Sequence, residues 1–130
     1  MAERELRRAE EVLREALTLL DTGAREGSAN RLYYAAFHAV RATLTIEGRY
    51  SKTHTGQITL FEQTFGSAPL LRKLLELRAE ADYSFEEFVE PLDKLHRAAE
   101  EVRQLIERCA GIVSAALTRG PDQPDPSPDY

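Results

Sequence analysis

The sequence contains one cysteine and no tryptophan, and it has no long hydrophobic run. Because Cys109 has no second cysteine to pair with, an intramolecular disulfide is excluded. No apolar segment approaches the ~18 residues that a membrane-spanning helix needs. No glycine-rich phosphate loop is present, and no cysteine or histidine residues have the spacing of a metal site. With no signal-like segment either, we expect a cytoplasmic protein that uses no metal ion and no cofactor.

The charge and composition describe an ordinary globular domain. The 130 residues are 42% hydrophobic and 30% charged, with a formal net charge of -5. This balance gives no overall attraction to nucleic acid, so any phosphate binding has to come from a local cluster of cations. The last residues hold four prolines and three aspartates, which favours disorder. We therefore predict one helical domain at residues 1–118 and a disordered, acidic, proline-rich tail at residues 119–130.

Helical periodicity divides the chain into five segments, with no convincing β-alternation. The predicted helices cover about Glu3–Leu20, Ala29–Glu47, the stretch between Thr53 and Gly66, Ser67–Ala81 and Pro91–Leu117. Ser28, Thr53 and Ser67 are the expected N-caps of the second, third and fourth helices. The segment 82–89 is expected to be an irregular connection, with a capping box at Ser84 and Glu87 as the alternative. Short loops favour antiparallel neighbours, so the predicted fold is an all-α, up-and-down bundle of four to five helices.

The second predicted helix is apolar around most of its circumference. At about 100° per residue, six side chains share one sector of roughly 100°. These six form what we call the polar stripe: Asn30, Arg31, Tyr34, His38, Arg41 and Thr45. A helix that is apolar on most sides is normally buried, and buried polar groups need partners. Arg31 and His38 lie about 10 Å apart along the axis on this face, so their side chains can converge on one anion.

Three interpretations of the polar stripe stay open. In the first, Arg31 and Arg41 pair with a carboxylate of another helix, such as Asp82 or Glu80, and His38 is a satisfied core histidine. In the second, the stripe is an anion site that binds RNA or a nucleotide, and Tyr34 donates a hydrogen bond or stacks on a base. In the third, the stripe is mainly a dimer seam.

Lys52 and His54 flank the start of the third predicted helix. Free N–H groups and the helix dipole favour an anion there, so these residues can supply a second phosphate contact. The alternative is a polar loop with a capping role. Together with the stripe, this makes Asn30, Tyr34, Arg41, Lys52 and His54 the candidate substrate-binding residues. Arg78 and Asp82, four residues apart, are expected to form an ordinary helical ion pair.

The segment Asn30-Arg31-Leu32-Tyr33-Tyr34-Ala35-Ala36-Phe37-His38 resembles the HEPN domain family, in its small stand-alone branch. Three further stretches agree with that family in order and spacing: Lys52-Thr53-His54-Thr55-Gly56, the segment from Phe61 to Phe65, and Arg78-Ala79-Glu80-Ala81-Asp82-Tyr83. The resemblance covers roughly residues 3–117.

The resemblance implies a helical bundle that forms a homodimer and is often encoded beside a minimal nucleotidyltransferase in a toxin–antitoxin-type pair. Active members of the family are metal-independent endoribonucleases with an Arg, four to six residues, then a His. Arg31 and His38 enclose six residues and match that signature. The resemblance then makes His38 a general acid or base on RNA and Arg31 the group that stabilises charge on the phosphate. The alternative is a non-catalytic dimeric module that binds and regulates the nucleotidyltransferase.

Overall fold

The computed structural model describes residues 1–83, 88 and 90–119, and these form five helices and no strand. The helices are α1 (Ala2–Asp21), α2 (Arg25–Ile46), α3 (His54–Phe65), α4 (Pro69–Tyr83) and α5 (Leu92–Arg119). The predicted all-α bundle is confirmed. Within the same residues, no helix is both long and apolar enough to cross a membrane. The expected tail from residue 120 onwards lies outside the described residues, as do residues 84–87 of the expected irregular connection, with its alternative capping box at Ser84 and Glu87. Asp82 and Tyr83, which the sequence assigned to that connection, belong to α4.

Helix α2 lies at the centre of the bundle and contacts each of the other four helices. Its alanines are fully or almost fully buried and allow neighbouring backbones to approach closely: Ala29, Ala35, Ala36, Ala39 and Ala42. The largest side chains that it buries are Leu32, Tyr33, Phe37 and Val40. Helix α1 packs on α2 and α5, whereas α3 and α4 pack mainly on α2. The core therefore surrounds α2 on most of its circumference.

The connection between α1 and α2 is shorter than the sequence suggested. Gly23 has a φ of 77°, and the Ala24 N–H donates to the Leu19 carbonyl at 2.9 Å, which closes the turn at once. Helix α2 therefore begins at Arg25, and Ser28 lies inside its first turn, with its hydroxyl donating to the Arg25 carbonyl at 2.9 Å. The prediction that Ser28 is the N-cap was wrong, because the turn is complete before that residue is reached.

The start of α4 also differs from the prediction. The helix begins at Pro69, so Ala68 and not Ser67 precedes it. The Ala68 N–H donates to the Glu62 carboxylate at 2.9 Å. This bond, followed by the one from Arg72, lowers the pKa of Glu62. A carboxylate from α3 thus takes over a capping role that a local hydroxyl was expected to fill.

Thr53 is the N-cap of α3, as predicted, and its Oγ1 accepts the Gly56 N–H at 2.9 Å. The loop before α3 passes so close to this turn that a Cβ on Gly56 would lie 2.0 Å from the Ser51 hydroxyl. Residue 56 therefore has to be glycine if the Ser51–Thr53 segment is to fold over the first turn of α3.

Replacing Gly56 by alanine is expected to destabilise the protein by about 1–3 kcal/mol, because the added methyl group displaces Ser51 and strains the cap. Urea denaturation monitored by circular dichroism measures the change. The matched control is Gly111→Ala in α5, where a Cβ would contact nothing. That variant should be up to about 1 kcal/mol more stable than the native chain. Equal stabilities of the two variants would contradict the tight packing described at Gly56.

Candidate functional site

The polar stripe is the one line of α2 that reaches solvent in the middle of the helix. Between Leu32 and Leu44, every residue is buried except Tyr34, His38 and Arg41, which are half-buried. Asn30 and Arg31 are half-buried as well, and Thr45 is exposed. Helix α1 flanks the stripe on one side, where its carboxylates contact Arg31 and His38, and α4 flanks it on the other, where Arg78 contacts Tyr34.

Carboxylates from α1 contact two members of the stripe. Glu5 lies 2.7 Å from the His38 Nδ1, and Glu15 lies 3.4 Å from the Arg31 Nη1. Arg31 also donates to the Asn30 side-chain oxygen at 2.8 Å. The residue numbers rise on α1 as they fall on α2, so the two helices are antiparallel. The α1 side of the stripe is therefore an acidic wall.

The sequence suggested that Asp82 could pair with Arg31 or Arg41, and that assignment was wrong. Asp82 lies 2.9 Å from the Nε of Arg78, one turn earlier on its own helix, as the i,i+4 spacing predicted. The short turn after α1 makes that helix the antiparallel neighbour of α2. Its carboxylates at Glu5 and Glu15 therefore reach the stripe instead.

The two ion pairs of this wall are not sealed from solvent. The side chains of Arg31 and Glu15 are 31% and 47% exposed, and a pair this open contributes about 0–1 kcal/mol. The His38 and Glu5 side chains are 19% and 32% exposed. Since a carboxylate only accepts hydrogen bonds, Nδ1 of His38 carries the hydrogen, and in the neutral ring Nε2 keeps a lone pair. The contact with Glu5 fixes the orientation of the His38 ring, whereas Arg31 can exchange Glu15 for another anion.

The opposite wall is cationic and aromatic. The Arg78 guanidinium lies 4.8 Å from the Tyr33 ring centroid and 5.7 Å from that of Tyr34. Arg31, one turn earlier on α2, lies 5.4 Å from the same Tyr34 ring. Tyr34 thus stands between two guanidinium groups. Sequence analysis missed this role of Arg78, because the i,i+4 pair with Asp82 already accounted for its charge.

His54 is packed against the core and does not stand free at the start of α3. Its ring stacks on Phe37 with centroids 4.6 Å apart, and Nε2 lies 3.4 Å from the Tyr33 hydroxyl. Burial, and next the charge of Arg78, lower the pKa of His54. The imidazole therefore favours its neutral form and is a poor source of positive charge for a phosphate. Lys52, two residues earlier, is exposed and has no ion pair among the described residues.

The lowered pKa of His54 predicts a pH-dependent stability. In the unfolded chain the His54 imidazole takes up a proton near the ordinary pKa of 6.5, whereas in the folded chain it does so only at lower pH. Stability from this group is therefore complete above that pH and falls as the pH drops below it. We expect the unfolding free energy to decline between pH 7.5 and 5.5, and His54→Gln to flatten this slope. Urea denaturation at both pH values measures the unfolding free energy. The same change of this free energy with pH in the native protein and in His54→Gln would contradict the prediction.

The remaining members of the stripe lead away from His38 towards the end of α2. Arg41 and Thr45 line a pocket of about 200 Å³, together with residues of the loop that follows. Gly48, where α2 was expected to stop, has a φ of 67° and directs the chain into this loop. Among the described residues, no three His, Cys, Asp or Glu side chains lie close enough together to hold a metal ion.

Comparison with known proteins places the chain in a family. The family model of the HEPN domain matches residues 2–118. A UPF0332 protein of Archaeoglobus fulgidus is 35% identical over 85 residues, which cover 60% of this chain and 68% of that protein. A UPF0332 protein of Gloeobacter violaceus is 38% identical over 84 residues, covering 58% and 67%. One from Pyrococcus horikoshii is 32% identical over 72 residues, covering 55% and 51%. Because the family match extends over almost the whole chain, the protein belongs to the HEPN domain family.

Proposed function

We propose that this HEPN-domain protein binds RNA along the polar stripe and cleaves it without a metal ion. One observation carries the proposal: α2 is buried from Leu32 to Leu44 except at Tyr34, His38 and Arg41. An otherwise buried helix thus presents a guanidinium, a phenol and an imidazole on one line, which is an arrangement suited to a phosphodiester. The family signature of active members, matched by Arg31 and His38, supports the same function.

The proposed chemistry uses these two side chains in different roles. The Nε2 of His38 accepts the proton of a ribose 2′-hydroxyl, and the 2′-oxygen then forms a bond to the adjacent phosphorus. The bond from phosphorus to the 5′-oxygen breaks, the leaving oxygen takes a proton from water, and the protonated His38 returns its proton to the solvent. The products are a 2′,3′-cyclic phosphate and a 5′-hydroxyl. Arg31 leaves Glu15 and donates to the phosphate oxygens as their negative charge increases, while Glu5 holds the His38 ring in place.

The experiment that tests the proposal is an RNA cleavage assay with the native protein in EDTA. A structured RNA is incubated over a titration of protein, and the new ends are identified. We expect cleavage that EDTA does not abolish, with 2′,3′-cyclic phosphate at the upstream product. RNA that stays intact over the whole titration would show that the protein has no ribonuclease activity.

Because the carboxylates of the acidic wall repel phosphate groups, we expect the native protein to bind RNA less tightly than a variant that lacks one of them. Glu15→Gln removes one negative charge and releases Arg31, so we expect RNA affinity to rise about two- to fivefold at low salt. A filter-binding titration measures this. Glu101→Gln is the matched control, because Glu101 is also 47% exposed and pairs with Lys73 across α5 and α4 without contacting a residue of the stripe. An equal gain in both variants would indicate a general charge effect and not a site at Arg31.

A second function is favoured by the same carboxylates. Because Glu5 and Glu15 already contact His38 and Arg31, the stripe can serve as the support of a non-catalytic interaction module. In this proposal the protein binds and regulates a minimal nucleotidyltransferase in a toxin–antitoxin-type pair. The native protein would then leave RNA intact but co-purify with the nucleotidyltransferase encoded beside it. If the protein neither cleaves RNA nor co-purifies with the nucleotidyltransferase, both proposed functions are wrong.

We also propose that the protein acts as a homodimer. The resemblance to a family whose members commonly form homodimers supports this proposal. Light scattering at tens of micromolar protein tests this proposal. A mass of twice 14.7 kDa is expected, and a monomer would contradict it.

A further inference from the structure

Tyr34 is the member of the polar stripe that α4 contacts through Arg78. The Arg78 Nη2 donates to the Tyr34 hydroxyl at 3.5 Å, and the same guanidinium lies 5.7 Å from the centroid of the Tyr34 ring. The phenol is half-buried, so its hydroxyl group is open to solvent only in part. A residue that is distant in sequence therefore controls the direction in which the Tyr34 hydroxyl group can act.

Arg78 is itself fixed by two further contacts. Its Nε lies 2.9 Å from the carboxylate of Asp82, one turn later on α4. The guanidinium also lies 4.8 Å from the centroid of the Tyr33 ring, which is fully buried, so the two groups form a cation–π contact. A guanidinium that is paired with a carboxylate and stacked on a buried ring has little freedom to move. Arg78 is therefore better suited to orient a neighbouring side chain than to capture an anion itself.

The polarity of the hydrogen bond defines what the Tyr34 hydroxyl can do. A guanidinium carries donors only, so the phenol oxygen is the acceptor in its bond with Arg78. The phenolic hydrogen is then left for a different acceptor, and no residue in the described part of the chain accepts it. Because polar groups at such positions are normally satisfied by water or a ligand, Tyr34 offers one O–H donor to whatever binds on the stripe.

This donor lies between the two residues of the proposed chemistry. Tyr34 follows Arg31 by three residues and precedes His38 by four, and residues at these spacings are neighbours on a helix face. The Arg31 guanidinium lies 5.4 Å from the centroid of the Tyr34 ring. A phosphate that contacts Arg31 while its ribose reaches His38 therefore has to pass beside the Tyr34 side chain.

We propose that Tyr34 is a further catalytic residue of this site and that Arg78 is its positioning residue. The Tyr34 hydroxyl donates a hydrogen bond to a non-bridging oxygen of the reacting phosphate, which gains negative charge as the 2′-oxygen bonds to phosphorus. Tyr34 keeps its proton throughout, so the proton transfers of His38 and water are unchanged. Arg78 holds the phenol oxygen and thereby directs its hydrogen. The inference rests on the proposed function, because the phosphate is that of the RNA on the stripe.

The role of the hydroxyl is tested with Tyr34→Phe, which removes one oxygen and keeps the ring. We expect the single-turnover rate of RNA cleavage to fall about ten- to a hundredfold, because a donor to the developing charge is lost. RNA affinity in a filter-binding titration should change less than about threefold, since the bond strengthens mainly in the transition state. Tyr50→Phe is the matched control, because Tyr50 is a 78% exposed tyrosine outside the stripe. Cleavage by Tyr34→Phe at the native rate would overturn the catalytic role.

The role of Arg78 is tested by combining two substitutions. Arg78→Gln should lower the cleavage rate about tenfold in the native background, because the phenol loses its orientation. In the Tyr34→Phe background it should lower the rate less than about twofold, because Arg78 acts through the missing hydroxyl. Arg72→Gln is the matched control, since Arg72 is an arginine of the same helix that pairs with Glu62. Equal factors in the two backgrounds would overturn the positioning role.

RNA affinity distinguishes orientation from direct binding by Arg78. Because the charge of Arg78 is already paired with Asp82, Arg78→Gln should change RNA affinity less than about threefold. A large loss of affinity together with a weaker dependence on salt would mean that Arg78 binds a phosphate itself, and the proposal would be wrong. Circular dichroism checks that the variants are folded. Asp82→Asn loosens the same guanidinium without removing it, and it replaces Arg78→Gln in the combined test if that variant does not fold.

The native protein in the same assays separates this inference from the proposed function. If the native protein leaves RNA intact, the cleavage function is wrong and the roles of Tyr34 and Arg78 are wrong with it. If the native protein cuts RNA but Arg78→Gln lowers the rate equally with and without the Tyr34 hydroxyl, only the positioning role is wrong and the cleavage function stands.

Discussion

His38→Ala is expected to lower the rate of RNA cleavage at least about a hundredfold. The imidazole is the group of the stripe to which the proposed mechanism assigns the transfer of the 2′-hydroxyl proton. It is also oriented by Glu5 at 2.7 Å, and that orientation is lost together with the ring. RNA affinity should change much less than the rate, because the guanidinium groups that contact phosphate remain. Single-turnover cleavage and filter binding measure the two quantities separately.

The control for this variant is His96→Ala, which removes an exposed imidazole from α5. It should cleave RNA at the native rate. Arg31→Ala should resemble His38→Ala in its rate but also bind RNA more weakly. Cleavage by His38→Ala at the native rate would show that this histidine does not act in the reaction and would leave it as a satisfied, half-buried side chain.

Phe37→Ala is expected to destabilise the bundle by about 3–5 kcal/mol. Phe37 is fully buried on α2, and its ring contacts Tyr33 at 5.0 Å and His54 at 4.6 Å between centroids. Its removal leaves a cavity at the point where α2 meets α3. For a domain whose total stability is about 5–15 kcal/mol, a loss of this size is a large fraction of the whole.

The matched control is Phe65→Ala on α3, because Phe65 is half-buried and packs at the edge of the core against Phe61. Its loss should be clearly smaller. Urea denaturation of both variants measures the difference. If Phe65→Ala costs as much as Phe37→Ala, α2 is not the centre of the core in solution.

Much of the fold was predictable because it depends on local periodicity. The helical spacing of the polar residues on α2 predicted the position of the stripe. The apolar residues on its remaining faces predicted its burial. Thr53 was identified as a cap from its place before a helical pattern. These features depend on residues that are close in sequence, where spacing alone defines which side chains share a face.

The features that could not be predicted depend on neighbours that are distant in sequence. Ser28 looked like a cap, but the turn at Gly23 starts α2 earlier. Glu5 and Glu15 sit on a helix whose rotation relative to α2 is not encoded in its own periodicity. The pocket that Arg41 and Thr45 line brings α1, α2 and α3 together, so no single segment shows it.

The location of RNA on the surface can be measured by nuclear magnetic resonance. A short RNA is titrated into ¹⁵N-labelled His38→Ala protein, which keeps the RNA intact, and the shifted backbone amides are mapped. The site described above predicts shifts concentrated at residues 30–45, at residues 49–57 and around Arg78. Shifts confined to the outer face of α5, or no shifts at all, would contradict the assignment of the polar stripe as an RNA site.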